Sequence, residues 1–228
     1  MAWRGSSRMM ALALLVATLS LLALTLAGPR HAGAAGEPGF NCKEIHGKPA
    51  QVNPNPGGRP PVAIGDSTML LPIPNLTAVG YSVNARGCRG FREAINIATR
   101  IKRKHRLPHL VLTNAYGNGG VNPTLIADML TVLGPRRVLV LVTAYNADTG
   151  KPPAPDTDQL FKAQRRYPNR ITVLDWVAYS RSHHKTDPKP GAWFEPDLFH
   201  PNFDGADAFA QFLATALPLA VNGRFPPF

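Results

Sequence analysis

Five short apolar runs punctuate the chain: Val62–Ile64, Val79–Val83, Leu110–Thr113, Val138–Val142 and Ile171–Leu174. Each has the length of a strand and is bounded by polar or turn-forming residues. Helix-like stretches follow them: Phe91–Lys104, Pro123–Leu133, Asp156–Tyr167 and Asp204–Leu219. Pro123 suits a first helical turn, and Gly134-Pro135 stops that helix. Short, continuously apolar strands alternating with helices predict a parallel sheet covered on both faces. With right-handed crossovers this gives an α/β fold, a three-layer α/β/α sandwich around a five-stranded parallel sheet. The chain shows no internal repeat.

In open α/β sheets, ligands bind beyond the carboxyl ends of the strands. Two polar motifs fall there. The first run ends in Gly65-Asp66-Ser67, and the third is followed by Tyr116-Gly117-Asn118-Gly119. A third motif, Asp197-Leu198-Phe199-His200, precedes the last helical stretch. Each alone is weak, because Gly-Asp-Ser is also a common turn, an Asn between glycines also suits a left-handed turn, and a loop His is ordinary. Together they supply a nucleophile, an amide donor for an oxyanion, and a base with its orienting acid, the parts needed for acyl transfer.

In this order and context the motifs resemble those of the SGNH/GDSL hydrolases. The likeness runs from about Pro61 to Leu219. It includes Val83-Asn84-Ala85-Arg86-Gly87-Cys88-Arg89-Gly90, similar to the family segment that gives a backbone oxyanion donor. Within the family the chain looks most like the SGNH domains of bacterial peptidoglycan O-acetyltransferases, through that segment, Asp175-Trp176 after the fifth run and Trp193-Phe194 before the acid. The resemblance implies a flavodoxin-like SGNH hydrolase fold and no cofactor or metal. It also implies Ser67 as nucleophile, His200 as base and Asp197 as its orienting acid, with an oxyanion hole from the Ser67 backbone, a second-segment backbone N–H and Asn118. The chain departs from the pattern twice. Tyr-Gly-Asn-Gly stands where that subgroup usually has Gly-Thr-Asn-Gly, and Cys88 stands where a small glycine is usual. The second departure leaves the backbone donor among Gly87, Arg89 and Gly90, with Arg89 preferred.

The first residues read as a targeting segment. Arg4 and Arg8 precede an almost continuously apolar stretch from Met9 to Ala27, and Ala32-Gly33-Ala34 offers a small-x-small cleavage site. The expected organisation is therefore a signal peptide over residues 1–34, a Pro/Gly-rich arm over 35–60 and a hydrolase domain over 61–228. An uncleaved N-terminal membrane anchor is the alternative, since the apolar stretch approaches spanning length. Export makes a disulfide between Cys42 and Cys88 the expected state of the two cysteines. It would close a long loop and tie the arm to the second motif.

The 228-residue chain carries a net charge of +11, and a signal peptide would remove three arginines and no acid. That balance points to anionic surroundings such as a cell-wall polysaccharide or a lipid surface. The densest run, Arg100-Ile101-Lys102-Arg103-Lys104-His105-Arg106, reads first as the solvated end of a helix, where cations suit the dipole. No aromatic residues interleave with it, which speaks against nucleic acid. His183-His184 lie in a polar loop without a partner at ligand spacing and read as exposed residues rather than a metal site. Trp193 reads either as a wall of the substrate site or as a core aromatic. The classes left in competition are a secreted ester hydrolase, monomeric and acting on acyl-ester substrates, an acyltransferase or a lysophospholipase using the same residues, and a non-catalytic surface-binding domain.

Overall fold

The computed structural model describes residues 42–49 and 58–222. The expected signal peptide, its cleavage site and much of the arm lie outside them. A six-stranded sheet forms the centre, with β1 (Ile45–Gly47), β2 (Val62–Gly65), β3 (Ser82–Ala85), β4 (Leu110–Thr113), β5 (Val138–Val142) and β6 (Ile171–Leu174). The strand order is β1-β3-β2-β4-β5-β6. The last five in that order are parallel, and β1 pairs antiparallel with β3 through Ile45–Ala85 and Gly47–Val83. The expected five-stranded parallel sheet is thus present, and the arm adds a sixth strand at its edge. Residues 42–49 carry no apolar run, so the hydrophobic pattern held no signal for a three-residue edge strand.

The helices are α1 (Ile73–Ala78), α2 (Phe91–Arg103), α3 (Pro123–Leu133), α4 (Thr157–Arg166), α5 (Trp176–Ser180), α6 (Phe203–Ala214) and α7 (Pro218–Asn222). Alternate residues of each strand feed opposite cores. Ala63, Leu110, Leu112, Val138, Val140 and Val142 join the cluster with Leu76, Trp176, Phe209 and Leu213. Val62, Ile64, Val111, Leu139 and Leu141 face Phe91, Ile126, Met129 and Leu160. Both faces are apolar because both are covered, which is why the strands read as continuous apolar runs.

Two expected boundaries move. The second strand is Ser82–Ala85 rather than Val79–Val83, because Val79 and Gly80 finish α1: the Val79 N–H donates to Asn75 O and the Gly80 N–H to Thr77 O. The last helical stretch is broken at Thr215–Leu217, and Pro218, which has no N–H to donate, opens α7 instead of continuing α6. The site follows from the strand order. From β2 the chain moves to one side to form β3, then crosses back to form β4 on the other. The carboxyl end of β2 is therefore the switch point of the sheet, where crossovers diverge and leave a crevice.

Candidate active site

Ser67 sits at that switch point. Asp66 caps the short 3-10 turn Ser67–Met69, its carboxylate accepting from the Thr68 N–H. Gly65 is required sterically. A Cβ there would stand 2.5 Å from both Met69 Cβ and Met69 Sδ and 2.8 Å from Asn114 Oδ1. The motif thus turns sharply out of the sheet and presents Ser67 beyond it.

The structure brings Ser67, His200 and Asp197 into one chain of contacts. Ser67 Oγ lies 2.8 Å from His200 Nε2, and His200 Nδ1 lies 2.5 Å from Asp197 Oδ2. Asp197 Oδ1 accepts from the backbone N–H groups of Phe199 and His200 at 2.9 and 3.0 Å. The Asp-x-x-His spacing allows this because Leu198 takes a left-handed conformation (φ 56°) and folds the loop back on its own carboxylate. Burial alone would raise the Asp197 carboxyl. The bonds from His200 and Phe199 outweigh it and hold the group down at about 2. His200 is thereby oriented with Nδ1 as donor and Nε2 turned to the serine.

The other expected residues are placed less uniformly. Asn118 is exposed on the turn after β4. That turn meets the other motifs: a Cβ on Gly117 would stand 3.2 Å from the Phe199 ring and 3.6 Å from Asp66 Oδ2, and one on Gly90 would stand 4.0 Å from Asn118 O. All four sequence motifs therefore converge on one end of the sheet. Tyr116, the departure in the third motif, is buried. Its hydroxyl accepts from the Ala144 N–H at 2.8 Å and lies 3.1 Å from Thr157 Oγ1, which fastens the turn to the residues after β5 and to the first residue of α4.

Arg89 was expected for its backbone, and its side chain is the larger finding. The guanidinium is buried, with Nη1 donating to Gly65 O at 2.8 Å and to Asn84 O at 2.6 Å, and Nη2 donating to Asn84 Oδ1 at 2.7 Å. Its acidic partner is Glu44, at 3.6 Å. Arg89 thus clamps the carboxyl end of β2, one residue before Asp66-Ser67, to β3. The Cys42–Cys88 disulfide is present, with the two Cα atoms 5.8 Å apart, and it joins the segment bearing Glu44 to the residue beside Arg89.

Trp193 is half-buried in an aromatic stack. The His183 ring lies parallel to it at 3.8 Å, with Trp176 at 6.0 Å and Tyr179 at 5.8 Å. The two histidines are half-buried rather than exposed as expected. His183 stacks on Trp193, and His184 stacks on Tyr145 at 3.9 Å while its Nε2 lies 2.9 Å from Leu198 O. His184 therefore braces the Asp197–His200 loop. Its tertiary partners, Tyr145 and Leu198, are distant in sequence, so spacing gave no sign of this.

Sequence reading also missed a buried polar link beneath the serine. Asn114 Nδ2 donates to Thr68 Oγ1 at 2.6 Å, and Thr68 Oγ1 donates to Asp66 Oδ1 at 2.7 Å. This joins the ends of β2 and β4. Asp66 is fully buried, its Oδ2 has no hydrogen-bond partner among the described residues, and burial pushes its carboxyl up to about 6 against the bonds from Thr68.

No protein-family model and no curated protein matches the chain. Similar solved structures include the C-terminal catalytic domain of Streptococcus pneumoniae peptidoglycan O-acetyltransferase A, determined with a methylsulfonyl adduct. It is 22% identical with a TM-score of 0.54, over 72% of this chain and 94% of that domain. A Bacteroides fragilis protein assigned as an acylhydrolase is 17% identical with a TM-score of 0.50, over 75% of this chain and 89% of its own. The chain has the α/β fold of these two proteins, which is the fold its resemblance to the SGNH/GDSL hydrolases implies.

Proposed function

We propose that this chain is a serine esterase of the SGNH type that cleaves short acyl esters, acetyl above all, on carbohydrate or cell-wall substrates outside the cytoplasm. One observation carries the reading: Ser67 Oγ, His200 and Asp197 form a continuous hydrogen-bonded series at the switch point of the sheet. A free serine hydroxyl is a weak nucleophile near neutral pH. His200 Nε2 takes its proton as Oγ attacks the ester carbonyl, and Asp197 stabilises the imidazolium that forms. The oxygen that becomes negative is met by the backbone N–H groups of Ser67 and Arg89 and by the Asn118 amide. One such donor is typically worth about 3 kcal/mol of barrier. The alcohol leaves with the proton from His200. Water, activated by the same imidazole, then releases the acid from the acyl-serine. Trp193, half-buried between His183 and Trp176, is the aromatic we assign to the wall of the substrate site.

The same acyl-serine can pass its group to a sugar hydroxyl, and the O-acetyltransferase among the similar structures supports keeping that acceptor in the test. The disulfide favours an oxidising, extracytoplasmic setting. Among the described residues no helix is long and apolar enough to cross a membrane. The deciding experiment is a chain-length series of p-nitrophenyl esters run beside acetylated xylan and acetylated peptidoglycan, with and without a sugar acceptor. Acetate release that peaks at the shortest acyl chain and vanishes in Ser67→Ala is expected. A peak at long chains would turn the assignment toward a lysophospholipase. No hydrolysis by the wild type, with or without acceptor, would remove the esterase reading.

A further inference from the structure

The motifs described so far occupy the carboxyl end of the sheet. The opposite end carries a different chemistry. The three turns that enter β4, β5 and β6 follow the C-terminal ends of α2, α3 and α4, so parallel topology places all three on one edge. They are bonded directly to one another. Arg137 Nε donates to Leu107 O at 3.4 Å, Arg170 Nε to Arg137 O at 2.9 Å, and Arg170 Nη2 to Gly134 O at 2.6 Å. Lys102 Nζ lies 3.5 Å from Thr131 O.

The exposed cations on this edge include Lys102, Arg103, Lys104 and Arg106 from the first turn, Arg136 from the second, and Arg165 and Arg166 from the third. No acid opposes them from these segments. The chain has no Asp or Glu between Glu93 and Asp128, between Asp128 and Asp148, or between Asp158 and Asp175. Helix dipoles account for cations in the last turns of α2 and α4. They do not account for Arg106 and Arg136, which lie outside helices, nor for the lack of acids. A cleft of about 310 Å³ on the same edge is lined by His109, Arg136 and Arg137, and His109 Nε2 within it is buried without a partner among the described residues.

We propose that this edge is a binding surface for a linear polyanion, a polymer of repeating phosphate groups that runs across the three turns with one anionic group seated in the His109–Arg136–Arg137 cleft. Arginine predominates, and its planar guanidinium matches tetrahedral oxyanions with paired donors. A polymer fits better than a bilayer, because none of the exposed large hydrophobic side chains of the described residues (Ile45, Tyr179, Phe203) lies on this edge to insert. The surface lies at the amino ends of β4, β5 and β6 and Ser67 follows the carboxyl end of β2, so it would hold the protein on an anionic matrix with the opposite end free. This proposal does not depend on the esterase reading.

The test measures binding of long-chain inorganic polyphosphate, with phosphatidylglycerol vesicles as a second arm. Three proteins are compared: the wild type, R103E/R136E/R165E, and a charge-matched control, K151E/R181E/K189E, altered elsewhere on the surface. At about 1 kcal/mol for each cation near an anionic surface, the edge variant should bind polyphosphate about 100-fold more weakly, with a shallower salt dependence. The control should stay within a few-fold of wild type, and Ser67→Ala should bind like wild type. Circular dichroism melts of each variant exclude misfolding as the cause. Equal losses in the edge variant and the control would reduce the effect to net charge and overturn the proposal. Binding to vesicles without binding to polyphosphate would overturn it in favour of a lipid surface.

Discussion

At the scale of single residues, the proposed chemistry rests on groups that act as one unit. Ser67 supplies the nucleophile only if His200 accepts its proton, and His200 is aimed only because Asp197 holds Nδ1. Losses within such a unit do not add. Ser67→Ala and His200→Ala should each remove nearly all ester hydrolysis, and the double variant should be little worse than either. A double variant far below both singles, in initial rates at saturating ester, would show that the two residues act separately. Asp66 makes a different prediction. Its carboxyl titrates near 6 in the folded protein against about 4 in an unfolded chain, so the folded state holds the proton longer. Folded Asp66 binds more protons than unfolded Asp66 between about pH 4 and pH 6, and stability falls as pH rises through that window, by about 3 kcal/mol at most. Asp66→Asn keeps an oxygen for the Thr68 bonds and removes the titration. Its stability relative to wild type should therefore rise from pH 4 to pH 6 in urea melts and level off above. Parallel pH profiles would mean that Asp66 stays ionised throughout.

At the scale of elements, β1 is the piece on which the most depends for its size. Three residues of edge strand, a disulfide and Glu44 all bear on the segment 84–90. Arg89 is a buried cation whose nearest carboxylate comes from this arm, and a buried cation deprived of its partner is costly. Reduction should lower thermal stability, with about 4 kcal/mol as the chain-entropy ceiling for a loop of this length. It should also lower turnover well below the melting temperature, because a displaced oxyanion donor weakens the transition state. Cys42→Ala isolates the cross-link without changing the second motif. Full turnover in a folded, reduced protein would show that β1 and Arg89 hold the segment unaided.

At the scale of the whole molecule, the legible parts were those written in local pattern. The three strands from Leu110 to Leu174 and the helices α2 to α4 were readable to within a residue or so, because each is an unbroken apolar or amphipathic stretch with its own stop signal. That Ser67, Asp197 and His200 meet was readable because their motifs are contiguous in sequence. Other features were not, and for one reason. The pairing of β1, the Asn114–Thr68–Asp66 link, the Arg89 clamp and the His184 brace exist only as tertiary contacts between distant segments. A polar residue such as Asn114 looks like any loop residue until the end of β2 is set beside the end of β4.

The central claim is that Ser67 attacks the acyl carbonyl, and intact-mass analysis after treatment with a sulfonyl fluoride or fluorophosphonate tests it most directly. One adduct should form on the active protein, map to the peptide containing Ser67, slow sharply in His200→Ala and be absent in folded Ser67→Ala. Labelling of Ser67→Ala at the wild-type rate, or an adduct that maps to another residue while ester hydrolysis is lost, would contradict the account.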